Sequence, residues 1–396
     1  MFSVLQDAPE DPILGLAEAF GRDENPEKIN LGVGVYKDAD GKTPIQASVR
    51  AAEQRLLEKQ TTKSYLPMQG APEYGRIVRE LLFGTDHAVL QASRAYTAHT
   101  PGGTGALRVV GDFLHKAYPA ARLWLPAPTW ANHPSIFKAA GVETASYAYF
   151  DAGLNGIDID AMLASLKTIP AGDVVLLHGC CQNPTGADPT PDQWRAIAEI
   201  LAEQGVIPIV DIAYQGFAEG VEEDAIAVRV LGETVPELFV CSSFSKNFGL
   251  YNERVGALTV VGASAEEGKR AMGHIKLSIR TNYSNPPAHG AAIVSTIMQD
   301  ADLTSQWLSE LAGMRSRISG MRSLFVDTLQ DIGVTQDFGF LTQQRGMFSF
   351  SGLTPEQVKA LRDSYSIYIV GSGRINVAGM TESNMGPLCQ AIKAVI

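Results

Sequence analysis

Leu238-Phe239-Val240-Cys241-Ser242-Ser243-Phe244-Ser245-Lys246-Asn247-Phe248-Gly249 reads as a short apolar strand that ends in hydroxyls and delivers one lysine. Leu250-Tyr251-Asn252-Glu253-Arg254 follows and places an arginine downstream of that lysine. An apolar run closed by small polar residues is the pattern of a buried strand in a parallel sheet. An amine among Phe244, Phe248 and Tyr251 loses hydration, and with Arg254 as a nearby cation its pKa falls toward the range where it attacks a carbonyl. The hydroxyls and Arg254 suit an anion with several oxygens, such as a phosphate monoester. Taken alone the stretch reads equally well as a surface lysine on a strand exit, so the rest of the chain decides.

The same pattern recurs on both sides. Val174-Val175-Leu176-Leu177 runs into His178-Gly179-Cys180-Cys181-Gln182-Asn183-Pro184-Thr185-Gly186, and Val206 to Val210 runs into Asp211-Ile212-Ala213-Tyr214. Val255 to Val261, Leu123-Trp124-Leu125 (stopped by Pro126) and Thr144 to Phe150 are further strand candidates. Between them Thr190-Pro191-Asp192-Gln193 is a capping box, and Trp194, Ile197, Ala198 and Leu201 line one helical face up to Gly205. Thr100-Pro101-Gly102-Gly103-Thr104-Gly105 leads into a helical pattern from Ala106 to Leu114, and glycines before a helix start leave N–H groups free for an anion. Strand, helix and turn in this alternation predict an α/β fold whose large domain holds a mostly parallel sheet covered by helices. Ligands in such sheets sit beyond the carboxyl ends of the strands, and Asn183, Asp211 and Lys246 each follow a predicted strand end.

The two chain ends read differently. Asp11-Pro12 starts a helix carried by Ile13, Leu14, Leu16, Ala17 and Phe20 as far as Gly21. Ile29 to Tyr36 is apolar and holds Gly32 and Gly34, which let another group approach the backbone. Ser48 to Lys59 is helical in composition, and Tyr65-Leu66-Pro67-Met68-Gln69-Gly70 is a loop. Trp307, Leu311, Met314, Ile318, Met321 and Phe325 predict one long amphipathic helix. After it come a strand at Gly346 to Phe350, a capped helix from Thr354 through Leu361, and a strand at Ile367 to Val370 before Gly371-Ser372-Gly373-Arg374. These ends predict a smaller α+β domain: residues 1–43 form an N-terminal arm and part of it, 44–305 the large domain, and 306–396 the connecting helix and the rest.

At 396 residues, with 45% hydrophobic content, the chain is long enough for two cores. Its net charge of -11 argues against nucleic acid or an anionic membrane as partner. No long apolar run or signal-peptide order is present, so a cytoplasmic protein is expected. Four cysteines do not form a disulfide framework at this length. Cys180 and Cys181 with nearby His178 prompt the question of a metal, but without a second cluster no metal is expected.

Taken together the polar residues fit pyridoxal phosphate. That cofactor needs an amine for its aldehyde, a carboxylate to keep its pyridine nitrogen protonated, donors to its ring oxygen and a cradle for its phosphate. Lys246 is the amine, held as a Schiff base, and Asp211 the carboxylate. Tyr214 and Asn183 are donors to the ring oxygen, Trp130 stacks on the ring, and Thr104, Ser243 and Arg254 hold the phosphate.

The stretches around Gly103, Asn183, Asp211, Lys246, Arg280 and Arg374 resemble the aspartate and aromatic amino-acid aminotransferases of the class I, fold type I pyridoxal-phosphate family, over essentially the whole chain. The resemblance implies that Lys246 also moves the proton between the substrate α-carbon and the cofactor C4′ carbon. It implies that Gly103 joins the phosphate cradle, that His133 stands behind Asp211, and that Tyr65 reaches the phosphate from a neighbouring subunit. It assigns the substrate α-carboxylate to Arg374, with a backbone contact at Gly34, and the second carboxylate to Arg280 of the other subunit of a homodimer. Two arginines for two carboxylates point to aspartate, glutamate and their 2-oxo acids.

Gln182 stands where many members of that family carry a histidine. Leu66-Pro67-Met68-Gln69-Gly70 resembles the aromatic-accepting branch, whereas Lys37, Thr43, Thr104 and Asn285 resemble the aspartate branch. The expected activity is aspartate transamination extended to aromatic amino acids. The alternatives are an aromatic aminotransferase, a pyridoxal lyase or decarboxylase, and a non-catalytic binding protein.

Overall fold

Val174–His178, Ile207–Ile212 and Leu238–Ser243 run side by side and parallel in the middle of a seven-stranded sheet. The structure, a computed structural model, describes residues 2–6 and 14–396. On one side the sheet continues through Leu123–Ala127 to Thr144–Ala148, both parallel to the centre. On the other, Val255–Val261 runs antiparallel to Leu238–Ser243 and to the edge strand Ala95–Pro101. Every residue of Val174–His178, Leu238–Ser243 and Val255–Val261 is buried, which is why these strands read as unbroken apolar runs. Helix Gly102–Ala117 lays Ala106, Leu107, Val110, Phe113 and Leu114 into a core shared with Leu176, Ile209 and Leu258. Helix Pro191–Gln204 starts on the predicted capping box at Thr190 and stops at Gly205, which takes a left-handed φ of 65°.

The four inner parallel strands run past their apolar residues, whereas the strands expected at Thr144 to Phe150 and Ile367 to Val370 stop at Ala148 and Tyr368. Asp211 lies inside its strand, paired with His178 on one side and Cys241 on the other, rather than beyond the end. The ladder continues because both neighbouring backbones still offer partners, and hydrogen bonding is indifferent to side-chain polarity. Pro126 does not stop Leu123–Ala127, because pairing with Val174–His178 is confined to Leu123 and Trp124 and its missing N–H forfeits no bond there. The glycines expected ahead of a helix form its first turn instead.

Two compact units divide the chain. One comprises Pro44–Ser316 with Gln344–Gly346 and contains the sheet. It includes helix Ala47–Lys59 and the loop with Tyr65. The other comprises Met1–Thr43, Arg317–Gln343 and Met347–Ile396. In it Ile29–Asn30 pairs in parallel with Ile367–Tyr368, and Phe348–Phe350 pairs antiparallel with Arg374–Asn376. Helix Pro355–Tyr365 begins on a capping box at Thr354, as expected. The cap expected at Asp11-Pro12, with Ile13, lies outside the described residues; the helix runs Leu14–Arg22 and passes through Gly21. The long helix is Ala301–Asp331.

Candidate active site

Lys246 sits in the turn that follows Leu238–Ser243, closed by a bond from the Gly249 N–H to the Lys246 carbonyl at 3.1 Å. Gly249 has a φ of 63°, which a residue with a Cβ adopts only under strain. The Lys246 Nζ lies 4.5 Å from the centroid of the Tyr214 ring. Phe244 and Phe248 pack inward instead, Phe244 edge-on to Tyr74 and Phe248 stacked on Trp307 at 4.4 Å. Burial pushes the Lys246 pKa down to about 8, with Arg254 adding to the fall and Asp211 opposing it. Such an amine is a competent nucleophile near neutral pH.

Asp211 is buried and 3.0 Å from His133 Nε2. Burial alone would raise its pKa, but the hydrogen bond from His133, with His133 and Lys246 close by, holds the carboxyl below its ordinary value. The Thr129 hydroxyl lies 2.7 Å from His133 Nδ1 and 3.2 Å from His178 Nε2. Burial drives the His178 pKa down to about 3, so that ring is neutral. Thr129 and His178 were not expected here. The signal available in sequence was that His178, like Asp211, directly follows an apolar strand run.

Gly102, Gly103, Ser243 and Arg254 are brought together at the start of helix Gly102–Ala117. A Cβ on Gly102 would fall 2.6 Å from Arg254 Nη2, and one on Gly103 3.2 Å from Ser243 Cβ. Thr104 is in the same first turn. Backbone N–H groups, hydroxyls and a guanidinium at a helix N-terminus form a cradle for a phosphate. Trp130 stands edge-on to His133, 5.2 Å between centroids. Asn183 is buried in the turn after Val174–His178, beside Gln182.

Tyr65 and Arg280 line a separate open groove of about 830 Å³ with Met68, Tyr283 and Asn285. Tyr65 is 92% exposed, and Arg280 donates to Ser284 Oγ at 2.6 Å. No hydrogen bond or ion pair joins either to the Lys246 cluster among the described residues. In the other unit Arg374 donates to the Gly32 carbonyl at 2.7 Å, and its guanidinium lies 4.2 Å over the Phe348 ring. Gly34 meets the same ring, since a Cβ there would be 3.1 Å from it.

Cys180, Cys181 and Asp224 are the one group among the described residues with metal-like spacing. The Asp224 oxygens already accept from the N–H groups of Gly216, Ala218, Glu219 and Gly220. The hydrogen bond with Cys181, and then burial, push the Cys180 thiol well up, so the group suits packing rather than a cation. His178 turns to Thr129, not to this pair.

Comparison with known proteins agrees with this chemistry. The family described as Aminotransferase class I and II matches residues 26–392. The chain is 57% identical over 396 residues to an aspartate aminotransferase of Salmonella typhi and 56% identical to one of Escherichia coli (strain K12), with 100% of each chain covered. A crystal structure of an aromatic-amino-acid aminotransferase from Burkholderia pseudomallei, covalently bound to pyridoxal phosphate, superposes with a TM-score of 0.97 at 46% identity, covering 100% of this chain and 99% of that one. An α/β fold of this shape, matched along its whole length by relatives this similar, makes the chain a member of the class I and II aminotransferase family, fold type I.

Proposed function

We propose that the chain transfers the amino group of L-aspartate to 2-oxoglutarate, giving oxaloacetate and L-glutamate, and also accepts aromatic amino acids. Full-length similarity to two proteins named aspartate aminotransferase supports the first part, and similarity to an aromatic-amino-acid aminotransferase the second. The observation that carries the reading is a low-pKa lysine beside a buried, ionised aspartate. With the glycine-led helix start, these residues fit pyridoxal 5'-phosphate, the cofactor of the reaction. When bound, it supplies an electron sink that makes the substrate α-proton acidic.

Lys246 would hold the cofactor through its aldehyde and, once freed by substrate, would move the proton between the substrate α-carbon and the C4′ carbon. Asp211, kept anionic by the His133 hydrogen bond, would hold the pyridine nitrogen protonated. Tyr214 and Asn183 would donate to the ring oxygen, and Trp130 would cover the ring. Gly103, Thr104, Ser243 and Arg254 bind the phosphate through N–H groups, hydroxyls and a charge.

Arg374 takes the substrate α-carboxylate as a two-toothed pair, with the Gly34 backbone as a further contact. The exposed Tyr65 and Arg280 act in trans, in a homodimer, on the partner's phosphate and on the substrate's second carboxylate. Their exposure and shared groove support that arrangement.

Borohydride reduction of the protein with its cofactor, followed by peptide mapping, tests the covalent assignment, and a label at any residue but Lys246 overturns it. Sedimentation tests the dimer. Comparing kcat/KM for aspartate and phenylalanine tests the order of substrates.

A further inference from the structure

Gln182 has no exposed surface and uses both the nitrogen and the oxygen of its side-chain amide. Its Nε2 donates to the Pro128 carbonyl at 2.8 Å, while Oε1 accepts from the Thr185 N–H at 2.9 Å and the Thr185 hydroxyl at 2.6 Å. The orientation is unambiguous, because a carbonyl only accepts and a backbone N–H only donates. The main chain is held as well: the Gln182 N–H donates to Asp188 Oδ1 at 2.9 Å.

These bonds connect two turns that meet nowhere in sequence. Pro128 opens Pro128-Thr129-Trp130, and Thr185 closes Asn183-Pro184-Thr185. The Pro128 carbonyl shares its peptide plane with the Thr129 N–H, so the bond from Gln182 orients the backbone entering Thr129. The Thr129 hydroxyl in turn contacts His133 Nδ1, and His133 Nε2 contacts Asp211. We propose that Gln182 is a positioning residue: it sets the spacing of Trp130 and Asn183 around the cofactor ring and, through Thr129, the orientation of His133 on Asp211. The inference rests on the pyridoxal-phosphate reading of the site.

An amide suits this place for a physical reason. One side must donate to a carbonyl while the other accepts two hydrogens, and a carboxamide oxygen has two lone pairs for them. A neutral imidazole has one lone pair, and a protonated one has none. Glutamine also carries no charge at any pH, so it adds none to the turn that enters Thr129.

The test uses the holoenzyme with Gln182→Met, Gln182→Leu and Thr185→Val. The Met variant keeps the volume of the side chain and, like the Leu variant, loses all three side-chain bonds. The measurements are the cofactor dissociation constant, the pH midpoint of the bound cofactor's absorbance, kcat and KM, with thermal unfolding alongside. Both Gln182 variants are expected to weaken cofactor binding about tenfold and to move the midpoint by about half a pH unit, lowering kcat with little change in KM. Thr185→Val, which keeps the N–H bond and the Pro128 bond, is expected to change each less than about threefold. Wild-type binding and an unmoved midpoint in Gln182→Met overturn the proposal, and that variant decides should Gln182→Leu fail to fold. A wild-type protein that takes no cofactor on Lys246 overturns the underlying reading instead.

Discussion

His133 Nε2 lies 3.0 Å from Asp211 Oδ2, with both side chains buried. An ionised carboxylate can only accept, so the ring nitrogen donates, and this bond keeps the carboxyl charged despite its burial. His133→Leu removes the donor and should let the Asp211 pKa rise. Cofactor binding should then weaken by about ten- to a hundredfold, because a hydrogen bond to a buried charge is lost. Equilibrium titration of cofactor into the variant checks this; an unchanged dissociation constant contradicts it.

The free Lys246 amine titrates at about 8. Below that pH it is an ammonium ion and unreactive, and above it the free base reacts. The rate of aldehyde addition to the apo-protein should therefore rise with pH and level off above about 8. Asp211 raises this pKa, so Asp211→Asn should move the midpoint lower. A midpoint that rises in that variant contradicts the arrangement.

Arg280 is proposed to meet the second carboxylate of a dicarboxylic substrate. Arg280→Ala should lower kcat/KM for aspartate by about a hundredfold or more, the scale of a lost charged pair, while phenylalanine loses less than about tenfold. Equal losses for the two donors would show that the residue does something else.

His99 is 1% exposed, neither of its ring nitrogens has a hydrogen-bond partner among the described residues, and its ring packs 4.7 Å from that of Tyr74. Burial lowers its pKa from 6.5 to about 4. The unfolded chain therefore takes up a proton as pH falls below 6.5 while the folded chain does not. The stability this neutral ring allows is present above 6.5 and is lost as pH falls toward about 4, by up to ~3 kcal/mol. His99→Leu leaves no unpaired nitrogen and nothing to protonate. Its Tm advantage over wild type should widen between about pH 7 and pH 5, as scanning calorimetry would record.

Much of this molecule was legible before folding was considered. The apolar runs at Val174, Val206, Leu238 and Val255 became neighbouring strands, and the boxes at Thr190 and Thr354 became helix starts. What misled were strand ends: Asp211 was placed past a strand by its polarity, yet the ladder runs through it. Phe244 and Phe248 were expected around the amine, yet pack on Tyr74 and Trp307, while Tyr214 faces Lys246.

The sequence by itself determined the alternation of strands and helices and the placing of a lysine, an aspartate and an asparagine near strand ends, because periodicity and capping act over a few residues. Only the tertiary structure decided which side chains meet there. Gln182 reaches Pro128 across 54 residues and His133 reaches Asp211 across 78, and contacts at such separations depend on strand order and register, which no local pattern specifies.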